Sequence, residues 1–299
     1  MSELADSPFL SGFVDLHAHT NESDGSLTPA ELVALGKQMD LAALAITDHD
    51  TFAGYEKALP HARAAGLDLV RGIELNTRLY VDGGRTHRSV HLLAYFVNGE
   101  PSGEFTAWLE DERTERRNRN KALAKVLQAN GMEVTFEEVE ARGRSLAGRP
   151  HFARILVDKG YARSSEEAFR RYLAEDSPTY VARKSKTTEE VIGIVRRANG
   201  IPVIAHPIRL GFARDAEREL IASFKRAGLV GLEIYHSEHP PLLQAYYHQL
   251  AKELELLPTG GSDFHGTVKP DIRLGTGANG NVRVPSEFLK GMRAFAGAE

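Results

Sequence analysis

Short apolar runs recur along this chain, and most of them break off at a histidine or a carboxylate. FVDL at 13–16 leads into His17 and His19, with Asp24 on the loop that follows. LAALAI at 41–46 leads into Asp48 and His49, and the run at 67–76 carries Glu74 near its end. SVHLLAYF at 89–96 contains His91, IPVIA at 201–205 precedes His206, and LLPTGGSDFH at 256–265 ends in Asp263 and His265. A further run, LVGLEIYH at 229–236, completes seven expected strands. Runs of this length, rich in Val, Ile and Leu, read as buried strands.

Segments of helical period separate the runs. Thr28 caps the first, with Pro29 at its first position and Glu31 three residues after the cap, the arrangement of a capping box. Others are expected at 52–64, closed by Gly66, and at 188–198, 214–227 and 240–255. Strand and helix in alternation predict parallel strands joined by helical crossovers, and chemistry at the C-terminal strand ends. Between 103 and 186 the texture changes to charged helices, expected at 104–130, 136–142, 150–159 and 165–174. The chain therefore divides into a barrel domain, 1–100 with 187–299, and a helical insertion, 101–186, that covers the site. Within the insertion, EDERTERRNRN at 110–120 reads as a solvent-facing stretch, because charge runs usually sit in water.

Composition narrows the function. The 299 residues contain no cysteine, which excludes disulfides, thiolate metal sites and cysteine nucleophiles. The net charge of −4 argues against a protein that coats duplex DNA. The first dozen residues lack a basic segment followed by an apolar one, and no run reaches the ~18 apolar residues of a membrane span. The expectation is a cytoplasmic protein without membrane contact.

His17 and His19 are two apart at a strand end, so both rings point to one face. With Asp24, His49, Glu74, His91, His206, Asp263 and His265 they make nine imidazoles and carboxylates at one barrel rim. Such a gathering is costly unless cations organise it. Nitrogen and oxygen donors without sulfur suit Mn, Zn or Fe, and nine donors suit two to three divalent ions sharing a carboxylate, for which Glu74, alone in its strand, is the natural bridge. Clustered ions of this kind acidify water to hydroxide and neutralise phosphate oxygens, the chemistry of phosphoester hydrolysis. His61, His87, His239 and His248 fall on predicted helices or surface loops and are given no role.

The pieces DLHAHTNESDG, ITDHD, GIE, HLLAYF, AHP and GSDFH resemble, in order and over 13–265, the PHP family of metal-dependent phosphoesterases. The resemblance implies an α/β fold, a distorted seven-stranded (β/α)7 barrel with a helical insertion domain. It also implies a grouping of ligands: His17, His19 and Asp263 on one ion; His91 and His206 on a second, with Glu74 bridging; Asp24, His49 and His265 on a third; and Asp48 behind them. The insertion, with GRPHFARILVDKGYARSSEEAFRRYL, resembles the branch that dephosphorylates 3′,5′-nucleotide bisphosphates and trims 5′ nucleotides from short RNA. It departs from that branch at 174–179, where AEDSPT replaces a Gly- and Lys-containing turn. Arg149, at a helix start ahead of Pro150, is a candidate phosphate contact, and His151 beside it a second. The expected partner is a phosphorylated small molecule, a nucleotide or short single-stranded RNA. The alternatives are a phosphatase of another small phosphomonoester, such as histidinol phosphate, or a metal-dependent amidohydrolase. The latter usually bridges its metals with a modified lysine, and no lysine stands at these strand ends.

Overall fold

The computed structural model describes residues 12–81, 86–183 and 185–298; the expectation that the first dozen residues are not a signal segment lies almost wholly outside them. Strands β1 (Phe13–Asp15), β2 (Ala43–Ile46), β3 (Asp68–Val81), β4 (Thr86–Tyr95), β5 (Ile201–Ile204), β6 (Gly231–Tyr235) and β7 (Leu257–Gly260) follow one another around a barrel. Just beyond β1 and β7 the chain closes the ring: Leu16 N donates to Gly260 O at 3.2 Å, Asp263 N to His17 O at 2.9 Å and His19 N to Phe264 O at 2.9 Å. Gly261 permits that approach, since a Cβ there would lie 2.3 Å from His17 N.

Two expectations need correction. The sheet has eight strands rather than seven, because β8 (Val284–Pro285) adds antiparallel to the outer edge of β1. Two residues ending in proline carry no periodicity by which to see them. Nor are all strands parallel: β4 runs antiparallel to both β3 and β5. Val81 pairs with Thr86, and four intervening residues are too few for the crossover of a dozen or more that parallel strands require.

Helices α1 (Pro29–Gln38), α2 (Ala53–Ala65), α7 (Thr188–Arg197), α8 (Arg214–Arg226), α9 (Pro241–Glu253) and α10 (Ser286–Gly297) surround the sheet. The Thr28–Glu31 capping box forms as read, and Gly66 ends α2 in the left-handed region at φ 63°. Between β4 and α7 lie α3 (Gly103–Ala129), α4 (Phe136–Gly143), α5 (Arg149–Asp158), α6 (Ser165–Ala168) and a π-helical turn, Phe169–Leu173. These elements bury Leu123, Leu127, Val139, Phe152 and Leu156 among themselves. The N-terminal turns of α3 are seated elsewhere: Phe105 and Leu109 join Phe52 and Phe96 in the barrel's own core. A helix anchored at both ends in different cores has a fixed middle.

That middle is the stretch 110–120, and it is not solvated throughout. Glu110, Asp111, Thr114, Arg117 and Asn118 are exposed, but Arg116, Arg119 and Asn120 are buried. No helix among the described residues is long and apolar enough to cross a membrane.

Candidate metal centre

The nine side chains singled out in the sequence do converge. Nε2 of His17 and of His19 lie 3.3 and 3.1 Å from Glu74 Oε2, and 3.6 and 3.5 Å from Asp263 Oδ1. His49 reaches Glu74 Oε2 through Nδ1 at 3.3 Å and Asp24 through Nε2 at 3.7 Å. His265 Nε2 faces Asp24 at 3.3 Å. The other oxygen of Glu74, Oε1, takes His91 Nδ1 at 2.7 Å and His206 Nε2 at 2.9 Å. Glu74 thus faces five imidazoles, three on one oxygen and two on the other.

The donor atoms form three overlapping groups, each spanning no more than 4.8 Å: His17, His19, Glu74 and Asp263; His19, Asp24, His49 and His265; and His49, Glu74 and His91. His17 Nε2, both nitrogens of His19 and His49 Nδ1 are buried without a hydrogen-bond partner. Buried nitrogens are rarely left so, and these aim at carboxylate oxygens across gaps that a cation would close. The donor set therefore fits divalent metal.

Charge tells the same story. Burial favours a neutral Glu74, yet His49, His91 and His17 outweigh it and hold the carboxyl well below its usual range. His19, which burial would discharge, is pushed up to about 9 by Asp263 and Glu74, whereas burial takes His49 down to about 4. Imidazoles this close to one another cannot all carry protons, so the carboxylates are only partly compensated by the protein itself.

Supporting groups orient the ligands. Glu233 binds His17 Nδ1 at 2.9 Å through Oε1 and accepts from His206 N at 2.6 Å through Oε2, leaving Nε2 of His17 free for the centre. His265 Nδ1 faces the Asp263 carbonyl at 2.8 Å, which likewise leaves its Nε2 for the centre. His236 stands 3.3 Å from Asp263 Oδ2, which also takes Lys269 Nζ at 2.6 Å and Arg209 at 3.2 Å. Asp15 accepts from Ser262 and from the backbone of His17 and Gly275. None of these five supporting groups stood out in the sequence. His206 and Asp263 hold positive φ, at 29° and 56°, a strain that β-branched or bulky residues rarely tolerate and that clusters at functional sites.

Asp48 has a different placement from the ligands. It accepts from Thr20 N at 2.8 Å, Thr20 Oγ1 at 2.6 Å and Ser23 Oγ at 2.6 Å, and so pins the loop that carries Asp24. A Cβ on Gly54 would stand 1.8 Å from its Oδ2, so only glycine fits there. His239, read as a helix or surface residue, is in fact fully buried, with Nδ1 2.8 Å from Ile234 O. His61 and His248 are exposed, and His87 pairs with Glu175 at 3.3 Å.

Above the centre opens a cavity of about 430 Å³, lined on one side by the ligands and on the other by the elements between β4 and α7. Arg149, at the first position of α5, lines it and donates one N–H to Leu173 O at 3.2 Å. His151 accepts from Gly148 N at 3.1 Å, and its pKa is lowered by burial. Arg116, Arg119 and Arg183 also line the cavity. The far wall is thus built of guanidinium groups, the side chain best matched to phosphate.

The sequence model of the family described as PHP domain matches residues 15–199. A 5′-3′ exoribonuclease of Haemophilus influenzae is 31% identical over 252 residues, 84% of this chain and 89% of its own length. A 3′,5′-nucleoside bisphosphate phosphatase of Chromobacterium violaceum is 32% identical over 255 residues, 84% of this chain and 87% of its own. A solved structure from Bifidobacterium adolescentis, described as a predicted metal-dependent phosphoesterase, superposes with a TM-score of 0.79 at 32% identity, over 94% of this chain and 95% of that one.

Proposed function

This chain belongs to the PHP domain family and is a metal-dependent phosphoester hydrolase, and on that premise we propose that it acts on nucleotides: 3′,5′-bisphosphates, nucleoside monophosphates or the 5′ ends of short RNA. The observation that carries this reading is the facing of two surfaces across one cavity, a cluster of partnerless buried imidazoles with carboxylates against a wall of arginines. A neutral amide would need no such wall.

His17, His19 and Asp263, His91 and His206, and Asp24, His49 and His265 would hold two to three divalent ions, with Glu74 available to more than one group. Bound there, Mn, Zn or Fe supplies acidified water and positive charge for the transferring phosphoryl group. The chain's own residues do the rest. Glu233 and the Asp263 carbonyl fix which ring nitrogens face the ions. Asp48 fixes the loop of Asp24. Arg149 grips the phosphate from the opposite wall, with the α5 N-terminus behind it, and His151, kept neutral by burial, adds a contact beside it. The elements of 101–186 form a cover that lowers the water content of the cavity and strengthens each of these charges.

A phosphate-release screen of manganese-loaded protein tests the reading. The panel contains adenosine 3′,5′-bisphosphate, mononucleotides, 5′-phosphorylated short RNA, histidinol phosphate and amides. The expected result is phosphate from nucleotide substrates, abolished by a chelator. Amine or ammonia release without phosphate would point to an amidohydrolase, and release from histidinol phosphate alone would overturn the nucleotide assignment.

A further inference from the structure

Between α4 and α5 the chain turns back toward the centre over 144–148. Leu146 and Gly148 of that loop line the cavity, and Arg149 follows directly. Arg144 holds φ 43° and ψ −103° there, a conformation that a residue with a Cβ keeps only where its surroundings enforce it. Two of the enforcing contacts come from α3: Arg113 donates to Ser145 O at 3.0 Å and Asn120 to Ala147 O at 3.0 Å. The third crosses to the barrel. Ser145 Oγ donates to Glu22 Oε2, the oxygen that also takes Lys57 Nζ at 2.6 Å. Among the described residues it is the single hydrogen bond from 144–148 to the barrel.

Glu22 is 2% exposed, so little water can replace a donor that it loses. It lies two residues before the ligand Asp24, in one tight turn. Glu22 N donates to Thr20 Oγ1 at 3.1 Å, Gly25 N donates to Thr20 O at 2.9 Å, and a Cβ on Gly25 would lie 2.5 Å from His19 O. Glu22 and Asp24 therefore move together. Asp24 faces His265 at 3.3 Å and His49 at 3.7 Å, the gaps that a cation would close, while Glu22 holds the cover. The same turn meets the cover a second time, where the Ser23 backbone hydrogen-bonds the His151 ring. A cation that fixes Asp24 removes freedom from the whole turn, and the loop 144–148 then docks on a partner already ordered.

We infer that Ser145 is a positioning residue: through Glu22 it couples a cation at Asp24, His49 and His265 to the docking of the loop 144–148, so that the metal sets the position of Arg149. The inference rests on the metal centre of the reading above and is independent of its substrate. The order of events follows. The wall that grips the substrate is aligned once the centre that attacks it is loaded. Coupling of this kind is reciprocal, so a docked cover also holds the cation more tightly.

The test follows amide hydrogen exchange of the full chain with and without manganese, in the absence of substrate, with metal binding counted by calorimetry. In wild type, manganese is expected to slow exchange over 144–149 by on the order of 10-fold, within the usual range of coupling between sites. In Ser145→Ala it should still bind in the same number and still slow exchange over 20–25, while most of the effect on 144–149 is lost. Ser145→Thr, which keeps the hydroxyl, should restore it. With manganese and AMP, Ser145→Ala should raise KM by on the order of 10-fold with kcat little changed. Manganese that protects 144–149 equally in Ser145→Ala, or that binds wild type without protecting this loop, overturns the inference and leaves the metal centre standing. Faster exchange of Ser145→Ala throughout the insertion, with or without metal, also overturns it, because Ser145 would then serve only the fold. No manganese bound to wild type would overturn the inference and the metal centre together.

Discussion

Glu74→Gln is expected to lower turnover by on the order of 10³-fold, the equivalent of ~4 kcal/mol of lost charge stabilisation, with the fold retained. The reason is the division of its two oxygens. Oε2 faces His17, His19 and His49, and Oε1 faces His91 and His206, so one carboxylate serves every group of donors except that of Asp24 and His265. An amide keeps the shape but offers one oxygen and an N–H pair, which repels a cation. Metal analysis of the purified variant should show at least one ion per chain fewer than wild type. Unchanged metal content and unchanged kcat would show that Glu74 does not bridge.

The second large effect is on stability. Asp50 accepts from Asn76 N at 3.1 Å and from both Arg116 and Arg183, and thereby fastens α3 and the segment before α7 to the loop of His49. Asp50→Asn leaves the buried Arg116 without its counter-charge and the buried Arg183 with only Glu112, 3.6 Å away; about 3–5 kcal/mol is typical of breaking such a buried pair, a fall in melting temperature of roughly 10 °C at this chain length. Asparagine is the suitable probe because it tolerates the positive φ of 49° found here. Burial would raise the Asp50 pKa, but Arg116 and Arg183 outweigh it and hold it at about 2. A depressed carboxylate stabilises fully above its ordinary pKa near 3.8, and that part is lost as pH falls toward 2. The difference in melting temperature between wild type and Asp50→Asn should therefore shrink in acid. A difference that is absent at neutral pH would remove Asp50 as the fastening.

Much of the centre was legible because a polar side chain at the end of an apolar run is conspicuous. His17, His49, His206 and Asp263 each interrupt such a run. Glu233 and His236 were not, for a physical reason: in LEIYH, alternation of Leu232 and Ile234 with Glu233 reads as a half-exposed strand, whereas both faces of a barrel strand are covered. Of the arginine wall, Arg149 was read at its helix start, but Arg116 and Arg119 were missed because 110–120 is polar on all sides. A signal was nevertheless present. The buried positions of α3 run 105, 109, 116, 119, 120, 123, 124, 127, so the stripe of Phe105 and Leu109 continues at helical spacing into Leu123 and Leu127, and Arg116, Arg119 and Asn120 occupy its interior. Extrapolating the stripe from both ends places two cations on the buried face. The antiparallel β4 was not legible from the apolar runs, which stop at 76 and resume at 89, a gap long enough for a crossover; only the extension of both strands into that polar stretch, to Val81 and from Thr86, leaves the short link. Nor was the extra strand β8, two residues long.

The central claim is that water, held at the histidine–carboxylate centre, displaces the leaving group at phosphorus directly, with no side chain of the protein bonded to phosphorus on the way. Its most direct test is the configuration at phosphorus. A nucleoside phosphorothioate made chiral with oxygen isotopes is hydrolysed by manganese-loaded protein in isotopically labelled water, and the stereochemistry of the released thiophosphate is determined. One direct displacement predicts inversion. Retention would mean two displacements and a covalent phosphoenzyme, and would contradict the account.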